Sequence, residues 1–362
     1  MANSIKIPVS QDDTNLLFQT LIDLYGAEKA EAILARYQNN LWGKGGLAYI
    51  VGRESLPFFC RYYLQDVFRP KENNAARELA PVHFEIWKTL EEMFIKDSFD
   101  KLELVMPRGS SKTTTCDFAL TVWAHCYKLS AYSLICGKTE QDAIEFVRNV
   151  RQALEENSYI IGTFGRLING RSRKYVCNSL ELELTNDTKI QAISSTSSMR
   201  GKKYKNNRPS LIIADDYQGK TDILTQEARD RKYNTWVQDC LYAGDSAVYR
   251  QGKKIKKATK FVVLGTLMHR DCFMSRLLMD QSYRHIIHQV MDVRDVDAYF
   301  NSGHWATFKQ MLFNPQDPLN RDNAIEYSCV LRIHPTRSKY LGVCYQVSYL
   351  TPGYQKKETK LI

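Results

Sequence analysis

No C-x-x-C pair occurs in this sequence, so dithiol redox sites and zinc modules built on such pairs are excluded. The nine cysteines are scattered and odd in number, the pattern of reduced thiols that serve as small core residues. No run approaches the roughly 18 apolar residues of a membrane span. The start, MANSIKIPVSQDD, has no charged-then-apolar leader, and a soluble cytosolic protein is the expectation. Internal repeats are missing too, which argues against a solenoid or propeller. What is present is ordinary folding material: 362 residues, 44% hydrophobic and 25% charged, enough for one large or two ordinary domains. The net charge of +10 favours a polyanionic partner such as nucleic acid or an acidic protein surface.

The first hundred residues read as helical. Residues 12–40 carry Leu16, Leu17, Leu21 and Leu24, then Ala30, Ile33, Leu34 and Tyr37 at three-and-four spacing. A glycine-rich break follows at Gly43, Gly45 and Gly46, then an aromatic stretch, LPFFCRYYLQDVF, helical after Pro57. PVHFEIWKTLEEMF is a further helix with Pro81 as its initiator. From residue 101 short β-rich runs (KLELVM, AYSLIC, SLIIA, KFVVLG, HIIHQVM) alternate with helical stretches. Thr139 and Asp142 offer a capping box to a helix over 141–156, and LELELTNDTKIQAI reads as a hairpin turning at Asn186-Asp187. Strands alternating with helices imply an α/β fold whose mostly parallel sheet is sandwiched by helices, with ligands beyond the carboxyl ends of the strands.

One such end is chemically distinctive. LELVMPRGSSKTTTCDF, residues 102–118, runs from a strand through a small-residue turn into a helix. A phosphate cradle needs inward backbone N–H groups, a cation and a hydroxyl for Mg²⁺. Gly109, Ser110 and Ser111 keep the backbone approachable, Lys112 supplies the cation, and Thr113 and Thr114 open the helix with its positive dipole end. Met106 and Ser111 stand where the usual G-x-x-x-x-G-K-[ST] pattern has glycine. Arg108 is placed either to stabilise transition-state charge as an arginine in cis or to make a surface salt bridge. Downstream, RPSLIIADDYQG is an apolar strand ending in two carboxylates, the layout of a Walker B segment. Asp215 would hold Mg²⁺ and Asp216 would orient or deprotonate the attacking water. Many ATPases carry Glu at that second position; Asp is one methylene shorter, and a misplacement of about 1 Å costs ~10²-fold.

Taken together, the motifs resemble the large terminase subunit, the DNA-packaging ATPase of tailed bacteriophages. The resemblance runs over roughly residues 55–325 and is carried in order by MPRGSSKTT, AIEFVRNVRQALEENSYIIGTFG, SMRGKKYKNNRPSLIIADD, EARDRKYNTWVQDCL and KFVVLGTLMHRDCFMSRLL. It implies a P-loop NTPase fold of the additional-strand type with an N-terminal helical region. The expected boundaries are 1–80 for that region, 81–291 for the ATPase core, 292–326 for a linker and 327–362 for an atypical tail. By the same resemblance Lys112 and Thr113 bind ATP and Mg²⁺, Asp215 is the metal residue, and Asp216 and Arg108 are catalytic. Thr266 couples hydrolysis to movement; otherwise its hydroxyl caps the helix from Asp271 onward. The helix from Pro81 packs beside the adenine, with His83, Phe84 and Trp87 read as core.

The family further implies double-stranded DNA, a portal protein and a small terminase subunit as partners, a homo-oligomeric ring on the portal, and action in the host cytoplasm. An isolated chain could well be monomeric. Two lysine-dense loops are candidates for gripping phosphates without reading sequence: Arg200, Lys202, Lys203 and Lys205 in one, and Lys253, Lys254, Lys256 and Lys257 in the other. Full-length family members continue into a nuclease domain; the last residues here carry no acidic cluster, so nuclease activity is not expected. Two other classes share parts of the pattern: a helicase-like DNA-dependent ATPase, and a truncated terminase fragment that hydrolyses nothing.

Overall fold

The computed structural model describes residues 7–330 apart from 75, 77, 171, 173 and 290–294; of the tail expected over 327–362, residues 331–362 lie outside them. The chain opens with helices α1 (Gln11–Tyr25), α2 (Ala27–Tyr37), α3 (Leu47–Glu54), α4 (Leu56–Tyr63), α5 (Gln65–Phe68) and α6 (Pro81–Phe94). The single helical pattern read over 12–40 is broken at Gly26, whose φ of +80° a glycine adopts without a Cβ clash. The α/β part follows with β1 (Lys101–Val105), a π-helical turn (Thr113–Phe118) leading into α7 (Ala119–Cys126), β2 (Tyr132–Gly137), α8 (Glu140–Glu156) and α9 (Ser158–Phe164). Next come β3 (Glu181–Glu183), β4 (Lys189–Ser194), β5 (Leu211–Asp215), α10 (Gln226–Thr235), β6 (Val248–Arg250), β7 (Lys253–Lys256), β8 (Lys260–Gly265), α11 (Phe273–Leu277) and β9 (Arg284–Ile287). Three helices close the described chain: α12 (Val296–Phe300), α13 (Gly303–Leu312) and α14 (Asn320–Val330).

Seven strands form one sheet in the order β3-β4-β2-β5-β8-β1-β9. Every pairing is parallel except β3 with β4, the expected hairpin, where Asp187 takes φ +67° in the turn. The register aligns Val105 with Gly265, Asp215 with Leu264 and Gly137 with Ser194, so the carboxyl ends lie along one edge. Two features of the order matter for the site. The strand that feeds the 106–112 loop, β1, lies one in from the β9 edge, and β8 separates it from β5.

The apolar runs SLIIA and KFVVLG explain the layering, since residues buried on both faces of a strand need helices on both sides. One core cluster extends from Leu16 and Leu21 of α1 through Phe58, Trp87 and Trp123 to Val262 and Ile286. The N-terminal helices therefore share a core with one face of the sheet. A second cluster around Trp236, Phe261 and Phe273 fills the other face. Segment 248–256, read from sequence only as a lysine-dense loop, is a two-stranded antiparallel hairpin whose residues are all exposed.

Candidate functional site

At the carboxyl edge the chain leaves β1 at Met106, whose side chain is buried and whose N–H donates to the Gly265 carbonyl at 3.0 Å. Its φ is negative and its side chain packs in the core, so no glycine is needed there. The loop then turns through Gly109 (φ +78°) and Ser111 (φ +56°), with Ser110 Oγ donating to the Pro107 carbonyl at 2.8 Å. Ser111 thus occupies the left-handed region at the position where the common pattern has glycine. An L-residue there is strained by about 1–2 kcal/mol, part of which glycine gives back as chain entropy. Ser111→Gly is therefore expected to stabilise the protein by up to about 1 kcal/mol, and Ser111→Val to destabilise it, in paired thermal melts.

Lys112, 8% exposed, extends its Nζ to 3.2 Å from Asp216 Oδ1. Thr113 Oγ1 donates to Asp215 Oδ2 at 2.6 Å. The loop and the end of β5 therefore meet across the intervening strand, which itself contributes the Leu264 carbonyl accepting from Asp216 N–H at 3.0 Å. Asp216 holds φ +43°, a strained conformation of the kind that gathers at functional sites. Thr266, just past β8, donates its hydroxyl to the Met106 carbonyl at 3.0 Å. It does not cap the following helix, which starts at Phe273 with Cys272 as its N-cap. Its bond joins the end of β8 to the root of the loop.

Burial pushes the Asp215 carboxyl up to about 6; the Thr113 hydrogen bond pulls the other way and the Asp216 charge adds to the rise. Sequence reading missed a neighbour, Asp117, which is fully buried one turn beyond Thr113 and raised well above the ordinary range by burial and then by Asp215. The i, i+4 spacing from Thr113 was the available signal, but only the fold places β5 beside it. Both carboxylates line a recess of about 450 Å³ with Lys138, Asp142 and Asp216. Asp215 Oδ1 is buried and has no hydrogen-bond partner among the described residues. A hydroxyl, a carboxylate and an orphaned carboxylate oxygen are hard oxygen donors, so the residues fit Mg²⁺.

On the other side of the loop, residues 109–115 line a cavity of about 640 Å³ closed by Asp66, Phe68, Leu79 and His83. His83 Nδ1 accepts from Ala80 N–H at 3.0 Å and so caps α6, while Nε2 has no hydrogen-bond partner among the described residues. Burial lowers its pKa, leaving a neutral imidazole on the cavity wall. Trp87 is core as expected, donating to the Thr115 carbonyl at 2.8 Å. Arg108 is exposed and makes no hydrogen bond or ion pair among the described residues. Thr114 is half-buried beside the same cavity.

The lysine-dense segments divide. Lys254 binds Asp97 at 2.7 Å, Lys256 binds Asp245 at 2.6 Å and Lys257 donates to the Phe94 carbonyl. Asp97 precedes β1, so this hairpin, with Lys253, sits at the amino edge of the sheet. That is a strand length, roughly 16 Å, from the phosphate-type loop. Its flanking strand does not lead it to the carboxyl edge, because β8 starts rather than ends beside it. Segment 195–209 instead runs from the carboxyl end of β4 to the start of β5. Within it Arg200 pairs with Asp239 at 2.7 Å and Lys205 with Asp187 at 2.5 Å, while Lys202 and Lys203 make no ion pair among the described residues.

No protein-family model matches the chain, and no curated protein matches it. Among solved structures the chain is similar in fold to the large terminase of bacteriophage HK97, at 12% identity and a TM-score of 0.40, over 81% of this chain and 55% of that one. The chain thus spans about half the length of that protein. A likeness at this level carries no functional argument. Among the described residues no helix is long and apolar enough to cross a membrane.

Proposed function

We propose that this chain is an ATP-hydrolysing DNA-translocating motor of the terminase large-subunit type, built on an additional-strand P-loop sheet. The observation that carries the reading is the meeting of Lys112 and Thr113 with Asp215 and Asp216 across β8. Four residues of the types that phosphoryl transfer uses, from two segments far apart in sequence, converge at one edge. In this reading the loop N–H groups and Lys112 bind the β- and γ-phosphates, and the base lies toward His83 in the larger cavity. Thr113 and Asp215 would hold Mg²⁺, which supplies charge neutralisation at the phosphates. Asp216 orients and deprotonates the attacking water, and Arg108, free of other partners among the described residues, turns to the γ-phosphate. Thr266, bonded to the loop root, responds to the movement of that root. Portal, small subunit and ring assembly belong to the same proposal.

The first test is ATP turnover by the purified chain, with and without linear duplex DNA. Turnover that rises with duplex supports the motor; a folded chain that hydrolyses nothing, with portal and procapsid also supplied, would sink it. Unwinding of a forked duplex would move the assignment to the helicase-like class. DNA contact has its own check. Charge reversal at both Lys202 and Lys203 should weaken duplex binding and flatten the log affinity against log salt slope by about 2. Lys254→Ala should leave that slope unchanged and lower the melting temperature instead, because Asp97 loses a partner.

A further inference from the structure

Lys232, in α10, belongs to none of the roles assigned above, and its side chain is almost entirely buried. Its Nζ donates to Ser195 Oγ at 3.0 Å, stands 3.6 Å from Asp222 Oδ2, and lies 3.9 Å from the centre of the Tyr217 ring. Burial draws its pKa below the ordinary lysine value, and Asp222 opposes that effect. A methionine or leucine would fill the same volume without desolvating a charge, so packing alone does not call for an ammonium here.

The three partners come from two stretches, the residue after β4 and the turn 217–222 that follows β5. Ser195 is the first residue after β4 and the root of the segment carrying Arg200, Lys202 and Lys203. It is itself pinned to the end of β2, its N–H donating to the Gly137 carbonyl at 2.8 Å and its hydroxyl to the Lys138 carbonyl at 3.1 Å. Tyr217 directly follows Asp216. Asp222 closes the next turn by accepting from Gly219 N–H at 2.7 Å. The residue between, Gln218, accepts from Phe273 N–H at 2.9 Å and so ties the same turn to α11. The Lys232 ammonium thus touches both the residue that follows Asp216 and the base of the exposed basic segment.

We propose that Lys232 is a positioning residue that couples the state of the nucleotide site to the conformation of the basic segment 196–208. The proposal rests on the nucleotide and DNA reading above. It is tested by hydrogen exchange on the full chain, with and without Mg²⁺ and the non-hydrolysable ATP analogue adenylyl imidodiphosphate, while analogue affinity is titrated in parallel. In the unsubstituted protein, exchange in 196–208 is expected to slow by about tenfold on adding the analogue. Lys232→Met and Ser195→Ala should abolish that response while binding the analogue within about threefold of the unsubstituted chain, and Lys232→Arg should restore part of it. A purely structural lysine would loosen the segment equally with and without the analogue.

Retention of the full response in both variants overturns the proposal, as does an unsubstituted chain that binds the analogue with no change in the segment. A folded unsubstituted chain that does not bind the analogue removes the nucleotide reading itself, and the coupling with it. Should Lys232→Met fail to fold, Ser195→Ala, which deletes a single hydroxyl, decides the question.

Discussion

Lys112→Ala is expected to lower ATP turnover by at least ~10²-fold and to weaken nucleotide binding along with it, the loss seen when one preorganised charge donor is removed from such a site. Asp216→Asn should separate these two effects. The side chain changes charge but not shape, and asparagine tolerates the left-handed φ of +43° as well as aspartate does. Turnover should fall on a similar scale while nucleotide affinity holds or rises, because the Lys112 ammonium at 3.2 Å is released from its carboxylate. Steady-state hydrolysis and analogue titration on the two variants, each checked by thermal melting, distinguish binding from chemistry. Equal turnover in Lys112→Ala and the unsubstituted chain would mean that the loop is not a phosphate site.

The second large effect concerns stability, and its source is Glu103 in the centre of β1. This side chain is completely buried; one oxygen meets His285 Nδ1 at 2.9 Å and the other has no hydrogen-bond partner among the described residues. Burial, reinforced by Cys272 and Asp280, pushes its pKa from 4.5 up to about 8. A raised carboxyl pKa means that the folded chain holds a proton the unfolded chain has lost, so stability falls as pH rises from about 4.5 to about 8. Glu103→Gln keeps an amide able to bond His285 and removes the ionisation. Its stabilising effect should be near zero at pH 4.5 and grow to on the order of 5 kcal/mol above pH 8. Denaturant melts of both proteins across that range give the answer; a difference independent of pH would mean that Glu103 is ionised throughout.

Much of the site was legible in the sequence because its chemistry sits where strands end. KLELVM and SLIIADD each announce a buried strand by apolar composition, and the residues after such a strand in a parallel sheet lie at the ligand edge. The glycine departures were legible only in part. Sequence marks both Met106 and Ser111 as anomalies, whereas backbone geometry separates them: Met106 has an ordinary φ and a core side chain, and Ser111 bears the strain. The two lysine runs look alike as strings. Strand order and direction put one at the amino edge, neutralised by Asp97 and Asp245, and carry the other from the carboxyl end of β4 back to that edge, where Lys205 pairs with Asp187.

By itself, then, the sequence determined the alternation of strands and helices, the parallel sheet, the loop with its lysine and threonine, and the acidic strand end. These arise from local composition and spacing, which act over a few residues. Only the tertiary structure decided that β8 lies between β1 and β5, that Asp117 and His83 wall the site, and that Lys232 joins the residue after β4 to the turn after β5. Those contacts join residues distant along the chain, and nothing in the local pattern of either partner records the other. The physical reason is that burial, not proximity in sequence, selects which strand ends meet.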